Sequence, residues 1–476
     1  MKAVGRGVLI AGIALFACVA RANNLVLTNL ALAHVSGGTA DVQFDVMWEN
    51  SWRLSWTDNG GTVGVTNWDA VWVFAKYRFS GGPWKHLLLA ETGHAVPAGF
   101  ILSPATNDGL RLGALLHRHA EGSGPVTAAA VRLHWDYAGA GITTTNDLDL
   151  AVFGIEMVYI PEGSFYLGSG GSEIHAFYRY PNPLTPFLVT NAGPIMSGPE
   201  TGKLYSAQHD LESSEAIPTG YSPFYLMKYE ISQQQYADYL SLLDPSNATN
   251  LHVPAYYGTY GYTIHKTNDA YVADAPDRAC AYLSWVDYIY YLDWCGLRPV
   301  SELEFEKACR GPREPYPNEY VWGTATAYPG LTGIVGVAGS GTETALPTNA
   351  NVVIANGFPT PVRCGIFATA AGSREAAGAG YYGNLDLGGN VVENFVALRW
   401  EAREFADVYG DGNEYTAPPS AWVHSTGRGR VYRGGGWPSG LASVRASDRS
   451  GAGAYQEAGA RYQDTGGRGV RSAPQE

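Results

Sequence analysis

Gly383-Asn384-Leu385-Asp386-Leu387-Gly388-Gly389-Asn390-Val391-Val392-Glu393-Asn394-Phe395-Val396 is the stretch from which the rest of the chain is read. An apolar lead-in, Leu385 and Leu387, runs into Gly388-Gly389-Asn390, residues that tolerate positive φ in a tight turn. The chain then leaves through Val391, Val392, Phe395 and Val396 as an extended, buried segment. Asp386 and Glu393 bracket the turn, so both carboxylates and the carbonyls between them can converge on one point. Hard oxygen ligands of this kind suit Ca²⁺, which takes about 6–8 of them. The plain alternative is a polar turn whose two acids face water.

Working outward, the stretch is preceded by Met157–Ser169 (Met-Val-Tyr-Ile-Pro-Glu-Gly-Ser-Phe-Tyr-Leu-Gly-Ser), Pro223–Ser232 (Pro-Phe-Tyr-Leu-Met-Lys-Tyr-Glu-Ile-Ser) and Arg298–Glu306 (Arg-Pro-Val-Ser-Glu-Leu-Glu-Phe-Glu). It is followed by Arg430–Trp437 (Arg-Val-Tyr-Arg-Gly-Gly-Gly-Trp) and by Gly467-Arg468-Gly469-Val470-Arg471. Six such pieces in this order resemble the sulfatase-modifying-factor family, the formylglycine-generating-enzyme-like domain, from about Met157 to Arg471. The resemblance implies an irregular, loop-rich α/β domain related to the C-type-lectin fold and commonly carrying Ca²⁺.

It also implies where catalysis should sit. In copper-dependent members, a cysteine pair after the Arg-Gly-Gly-Ser-aromatic motif holds Cu(I), a soft ion that needs thiolates. Here the motif is Arg433-Gly434-Gly435-Gly436-Trp437, and the two cysteine positions fall on Ser439 and Val444. Copper is therefore not expected, and the chain reads as non-catalytic. The family's calcium site maps onto the side chains of Asp386 and Glu393 and the carbonyls of Gly389 and Val391. A second calcium position begins at Asn351 and Val352, but no aspartate follows in 358–367. A sulfur-transfer branch of the family pairs this domain with an iron-binding helical bundle, whose His-x₃-His-x-Glu ligands are absent.

Length and composition frame this. At 476 residues the chain exceeds one ordinary core, and 59 Gly, 27 Pro and 31 Tyr make it rich in loops and turns. Met1–Ala22 has the pattern of a secretion signal: Lys2 and Arg6, an apolar run over 8–20, and Ala20-Arg21-Ala22 for cleavage. A lipoprotein reading through Leu15-Phe16-Ala17-Cys18 is weakened by the bulky Phe16. No later run approaches a membrane span. The expected location is secreted, periplasmic or cell-surface. The formal charge is −13, and −16 once the signal is removed. That balance argues against nucleic acid, whose phosphates need a basic patch. Four cysteines remain after the signal, Cys280, Cys295, Cys309 and Cys364, and both disulfides and buried thiols stay open.

The expected fold class is α+β: an all-β, sandwich-like domain over 23–153, then the loop-rich family domain over 154–476. Period-two alternation carries the first part. Val42, Phe44, Val46 and Trp48 form one apolar face; Val71, Val73, Ala75, Tyr77 and Phe79 form another, opposite Lys76 and Arg78. Val131, Leu133, Trp135 and Tyr137 repeat the pattern, and so do Leu148, Leu150 and Val152. His117 and His119 share a strand face, but zinc needs a third ligand that is not evident nearby. In the second part, Ser232–Gln235 is a capping box ahead of Tyr236, Leu240 and Leu243. Helices are also expected from Ser284 to Cys295, stopped by Gly296, and from Ser301-Glu302-Leu303-Glu304 to Gly311-Pro312.

The candidate ligand surface is the Trp437–Tyr462 region, with Trp437, Ser439, Arg445, Asp448 and Arg449 as its residues. Its expected partner is an extracellular protein, peptide or glycan. An enzyme with a divergent active site and an envelope-associated structural protein are the competing readings, since a fold alone does not fix function.

Overall fold

Strand Leu148–Ile160 joins the two parts of the chain. Along one edge it pairs antiparallel with Val63–Phe79, from Asp69↔Val158 to Phe79↔Leu148. At its far end it also pairs with Phe224–Met227, from Met227↔Met157 to Phe224↔Ile160. The expected boundary near Phe153–Met157 thus falls inside one unbroken strand. The structure, a computed structural model, describes residues 15–17 and 24–474 except 59–60, 108, 208–210, 212–215, 269, 356, 370–371, 415, 424–426 and 454–456. The secretion signal expected over Met1–Ala22 lies outside the described residues apart from Leu15–Ala17.

The main sheet runs Arg298–Pro299, Gly469–Ser472, Phe224–Met227, Leu148–Ile160, Val63–Phe79, Thr39–Asp58, Val26–Ser36, with five further strands off this path. The alternating residues read from the sequence do share one core: Val42, Phe44, Val46, Trp48, Val71, Val73, Val131, Leu133 and Trp135 are all fully buried in it. The opposite face of strand Val63–Phe79 is covered as well. Ala70, Trp72 and Phe74 pack into a second core with Tyr239, Leu292 and Trp294 from the family region. Lys76 lies on that face and is only 1% exposed. Its Nζ donates to Trp294 O at 2.7 Å and Gly412 O at 2.5 Å, which satisfies the amine in an otherwise apolar place.

The expected helices form where their caps predict. Helix α1 is Gln233–Leu242, with Ser232 and Gln235 closing a reciprocal capping box. A short helix α2, Pro245–Leu251, follows Asp244 as N-cap with Pro245 in the first turn; the sequence reading did not include it. Helix α3 is Trp285–Trp294 and α4 is Glu302–Arg310, capped by Ser284 and Ser301. Among the described residues no helix is long and apolar enough to cross a membrane. His117 is buried with its ring tilted against Trp68, while His119 is exposed, so the two histidines do not form a site.

Every residue of α4 is buried, including Glu302, Glu304, Glu306, Lys307 and Arg310. Buried charges persist only when each is paired and hydrogen-bonded. Arg433 bridges Glu302 at 2.9 Å and Glu306 at 2.8 Å, Arg449 bonds Glu302, and Arg298 grips Glu304 with both terminal nitrogens. Arg310 bonds Glu306 and Glu319. The Lys307 amine donates to the carbonyls of Pro161, Gly220 and Tyr221. The arginine of the Arg-Gly-Gly-Gly-Trp motif therefore anchors that loop beneath α4.

Candidate functional site

The turn at 388–390 is built for close approach. Gly389 has φ +79°, and a Cβ there would meet Val353 O at 2.6 Å. A Cβ on Gly388 would strike Val444 Cγ1 at 2.4 Å. Asn390, also at positive φ, ties the turn to two other segments: its Oδ1 accepts from Val362 N at 2.9 Å, and its Nδ2 donates to Glu230 Oε2 at 2.5 Å. The segment then enters strand Val392–Val396, paired with Arg430–Arg433 and Thr465–Gly466.

Four charged side chains meet behind the turn. Glu230 Oε1 accepts from Val391 N at 3.0 Å. Asp386 Oδ2 accepts from Gly365 N at 2.6 Å. Glu393 gives both oxygens to Arg468, at 2.7 Å each. Cys364 Sγ lies 4.0 Å from Glu230 Oε2, and one ligand atom each from Glu230, Cys364 and Asp386 fall within 4.8 Å of one another. Burial, reinforced by the charges of Asp386 and Glu393, pushes the Glu230 carboxyl well above its ordinary value. Burial also raises Asp386, against the Gly365 amide and the Arg468 charge.

The residues expected to hold calcium are brought together only in part. Of Asp386, Gly389, Val391 and Glu393, only Asp386 lies in that acidic group, while Glu393 is committed to Arg468. At the second expected position, Asn351 Nδ2 donates to Glu375 O, and its buried Oδ1 has no hydrogen-bond partner among the described residues. One oxygen is not a calcium shell. Glu230, Cys364 and Arg468 escaped the sequence reading as site residues; the available signal was a lone acid between Tyr229 and Ile231.

The candidate ligand surface divides. Trp437 is 9% exposed, stacks on Tyr260 with ring centroids 5.4 Å apart, and donates from Nε1 to Gln463 O at 3.2 Å. Ser439 closes its own turn: its Oγ accepts from Gly436 N at 3.0 Å and its N–H donates to Gly436 O. Arg445 Nη1 donates to Asn318 Oδ1 at 3.2 Å. Asp448 is buried and receives Ser450 N and Oγ. Arg449 is 1% exposed, bonded to Glu302 and lying over the Phe177 ring at 4.0 Å. Asp448 and Arg449 are thus interior residues and not part of a ligand face.

Val444 is 0% exposed and packs with Val321. The four described cysteines are free, buried and distributed over three cores. Burial raises the pKa of each of their thiols. None lies on the loop after Trp437.

Residues 153–473 match the family model described as the sulfatase-modifying factor enzyme 1-like domain. No curated protein matches the chain. Among solved structures, the chain is similar to Treponema denticola variable protein 1 at 14% identity and a TM-score of 0.32, covering 67% of this chain and 96% of that one.

Proposed function

Because the chain belongs to the sulfatase-modifying factor enzyme 1-like family yet carries no thiol on the loop after Trp437, we propose that it is a non-catalytic member acting outside the cytoplasm as a recognition module. The observation that carries this reading is the fate of the two residues at the cysteine positions. Ser439 spends its hydroxyl on the Gly436 amide, and Val444 fills a core, so neither offers a soft ligand to Cu(I). The surrounding scaffold, with Arg433 locked to Glu302 and Glu306, supports a loop kept for its shape.

Beside that loop lies an aromatic face. Tyr260 stacks on Trp437, Tyr256 stacks on Tyr282 at 4.1 Å, and Tyr282 N donates to Tyr462 O. Tyr257, Tyr260 and Tyr462 are exposed. Rings held rigidly with one side in water suit a peptide or a glycan, because they give contact area at little entropic cost. The Met1–Ala22 pattern supports a reading outside the cytoplasm.

The test has two arms. Purified protein given Cu(I), O₂ and a Cys-x-Pro-x-Arg peptide should leave the cysteine unchanged by mass spectrometry; aldehyde formation overturns the non-catalytic reading. Peptide and glycan arrays should give binders lost in Tyr260→Ala; binders unaffected by that change remove the aromatic face from the proposal.

A further inference from the structure

Arg278 and Arg363 face each other across an isolated antiparallel bridge. Ala279 N donates to Val362 O and Cys364 N to Asp277 O, so the two arginines form a non-hydrogen-bonded pair. In such a pair the Cα atoms lie about 4.5 Å apart and the side chains share one face. Like charges placed directly opposite repel, and a counter-charge relieves them. Elsewhere in the chain that counter-charge is built in: Arg298, Arg310, Arg433, Arg449 and Arg468 each grip a buried acid. Among the described residues, neither Arg278 nor Arg363 forms an ion pair. Arg278 Nη1 donates to Gly261 O at 2.9 Å, and Arg363 Nη2 donates to Glu343 O at 3.1 Å. The buried Arg363 Nε has no hydrogen-bond partner among those residues. The nearby Glu343 carboxylate accepts from Gly339 N at 3.0 Å and from Ser340 Oγ at 3.3 Å. Burial lowers the pKa of Arg278, and the charge of Glu343 offsets only part of that.

The pair borders the aromatic face. Gly261 follows Tyr260, and a Cβ on Gly261 would lie 3.1 Å from Arg278 Nη1 and 3.2 Å from Thr360 Cβ. Tyr260 is exposed and stacked on Trp437, and both arginines are half-buried. An exposed ring beside two guanidinium groups without an acid matches a sugar that carries an anion. The ring takes the C–H face of the sugar, and the planar forks take its carboxylate or sulfate. We propose that the ligand of this face is an acidic glycan, with a sugar ring stacked on Tyr260 and its carboxylate or sulfate held by Arg278 and Arg363. In a chain of formal charge −13, two adjacent cations without a built-in acid are a local exception, and such an exception selects for anions. An acidic peptide would satisfy the arginines but leave the Tyr260 ring without a flat sugar partner. The inference rests on the reading that the aromatic face binds a ligand, and it names the class of that ligand.

The experiment is calorimetric titration of the full chain with four probes: oligogalacturonate, a sulfated carrageenan oligosaccharide, a neutral agaro-oligosaccharide and poly-glutamate. At least one acidic sugar should bind about tenfold or more tighter than the neutral one, and more weakly as NaCl is raised. Oligogalacturonate as the tighter probe assigns a carboxylate, and carrageenan a sulfate. Arg278→Gln and Arg363→Gln should each weaken that binding about tenfold, the loss of a hydrogen bond to a charged group. Their melting temperatures should hold or rise, because removing one of two facing like charges relieves repulsion. Tyr260→Ala should weaken the same titration. Acidic sugars that bind no tighter than the neutral one, or that ignore salt or both arginine changes, overturn the inference. Poly-glutamate that binds as tightly overturns the glycan assignment. Array binders that are neutral and lost in Tyr260→Ala would uphold the aromatic face and overturn this inference alone.

Discussion

Lys228 Nζ and Asp69 Oδ2 lie 3.6 Å apart with both side chains out of solvent, and they come from opposite sides of the join at Leu148–Ile160. Asp69 also accepts from Trp48 Nε1, Ser51 Oγ and the Trp52 amide, while Lys228 reaches Glu156 at 3.2 Å. A buried ion pair of this kind adds little net stability, but removing Asp69 leaves Trp48 Nε1, Ser51 Oγ and the Trp52 amide buried without this acceptor, while Lys228 keeps Glu156. Asp69→Ala should therefore cost about 3–5 kcal/mol in urea unfolding. Because the strand and both cores run through the join, the loss should appear in one cooperative transition for the whole chain. Two separate transitions, with only one moved by Asp69→Ala, would show that the parts unfold independently.

Arg433 supplies the second prediction. It is the hub between Glu302 and Glu306, and its Nη2 also donates to Ala446 O at 2.7 Å. Arg433→Ala removes the cation shared by Glu302 and Glu306 and opens a cavity, while Arg449 and Arg310 stay bonded to those acids, so a loss of about 3 kcal/mol is expected. Arg433→Lys should recover only part, because a single ammonium cannot fork to both acids. The measurement is the urea midpoint of the three proteins. A lysine variant equal to the natural chain would mean that charge alone, not the fork, holds the loop.

Much of this arrangement was legible from local pattern. Ser232, Ser284 and Ser301 mark helix starts because a cap and its third residue are read within one turn. The alternating valines gave the inner face of the first sheet, since a side-chain period of two needs no distant information. What failed was whatever depended on a remote partner. Nothing local marked Lys76 as buried, because the residues that cover it, Trp294 and Gly412, are more than two hundred positions away. Glu393 looked like a metal ligand because its partner, Arg468, lies 75 residues on. Arg449 looked like a surface residue because Glu302, which buries it, is 147 residues earlier. Ion pairs carry no periodicity, so single-sequence reading cannot match them.

The aromatic face yields a third prediction. Tyr260 is 46% exposed and contributes mainly its stack on Trp437. Tyr260→Ala should change stability by no more than about 0.5 kcal/mol, the usual range for a surface position. Binding of any array-identified peptide or glycan should fall at least tenfold by calorimetry, since exposed rings at the centre of a contact carry much of its energy. Unchanged affinity with unchanged stability would place the ligand elsewhere.

The last prediction concerns Lys76. Burial lowers its pKa from 10.5 to about 7, only partly offset by Cys295, Asp293, Asp411 and Glu414. Between those two values the unfolded chain holds a proton that the folded chain has released. The unfolded state then binds more protons, so stability must rise with pH, by up to about 1.4 kcal/mol per pH unit for one group. Lys307, likewise lowered by burial to about 7, adds a slope of the same sign. Asp293 acts below this range: burial and the charge of Asp411 raise it to about 7, so its contribution falls as pH climbs from 3.8. Urea unfolding at pH 7.5 and 8.5 isolates the lysines. Lys76→Met should reduce the rise between those values by about 1 kcal/mol, because one of the two groups no longer titrates. It should leave the Lys307 share in place. Equal slopes in the natural chain and Lys76→Met would mean that Lys76 keeps its proton in the fold, held as an ammonium by the Trp294 and Gly412 carbonyls.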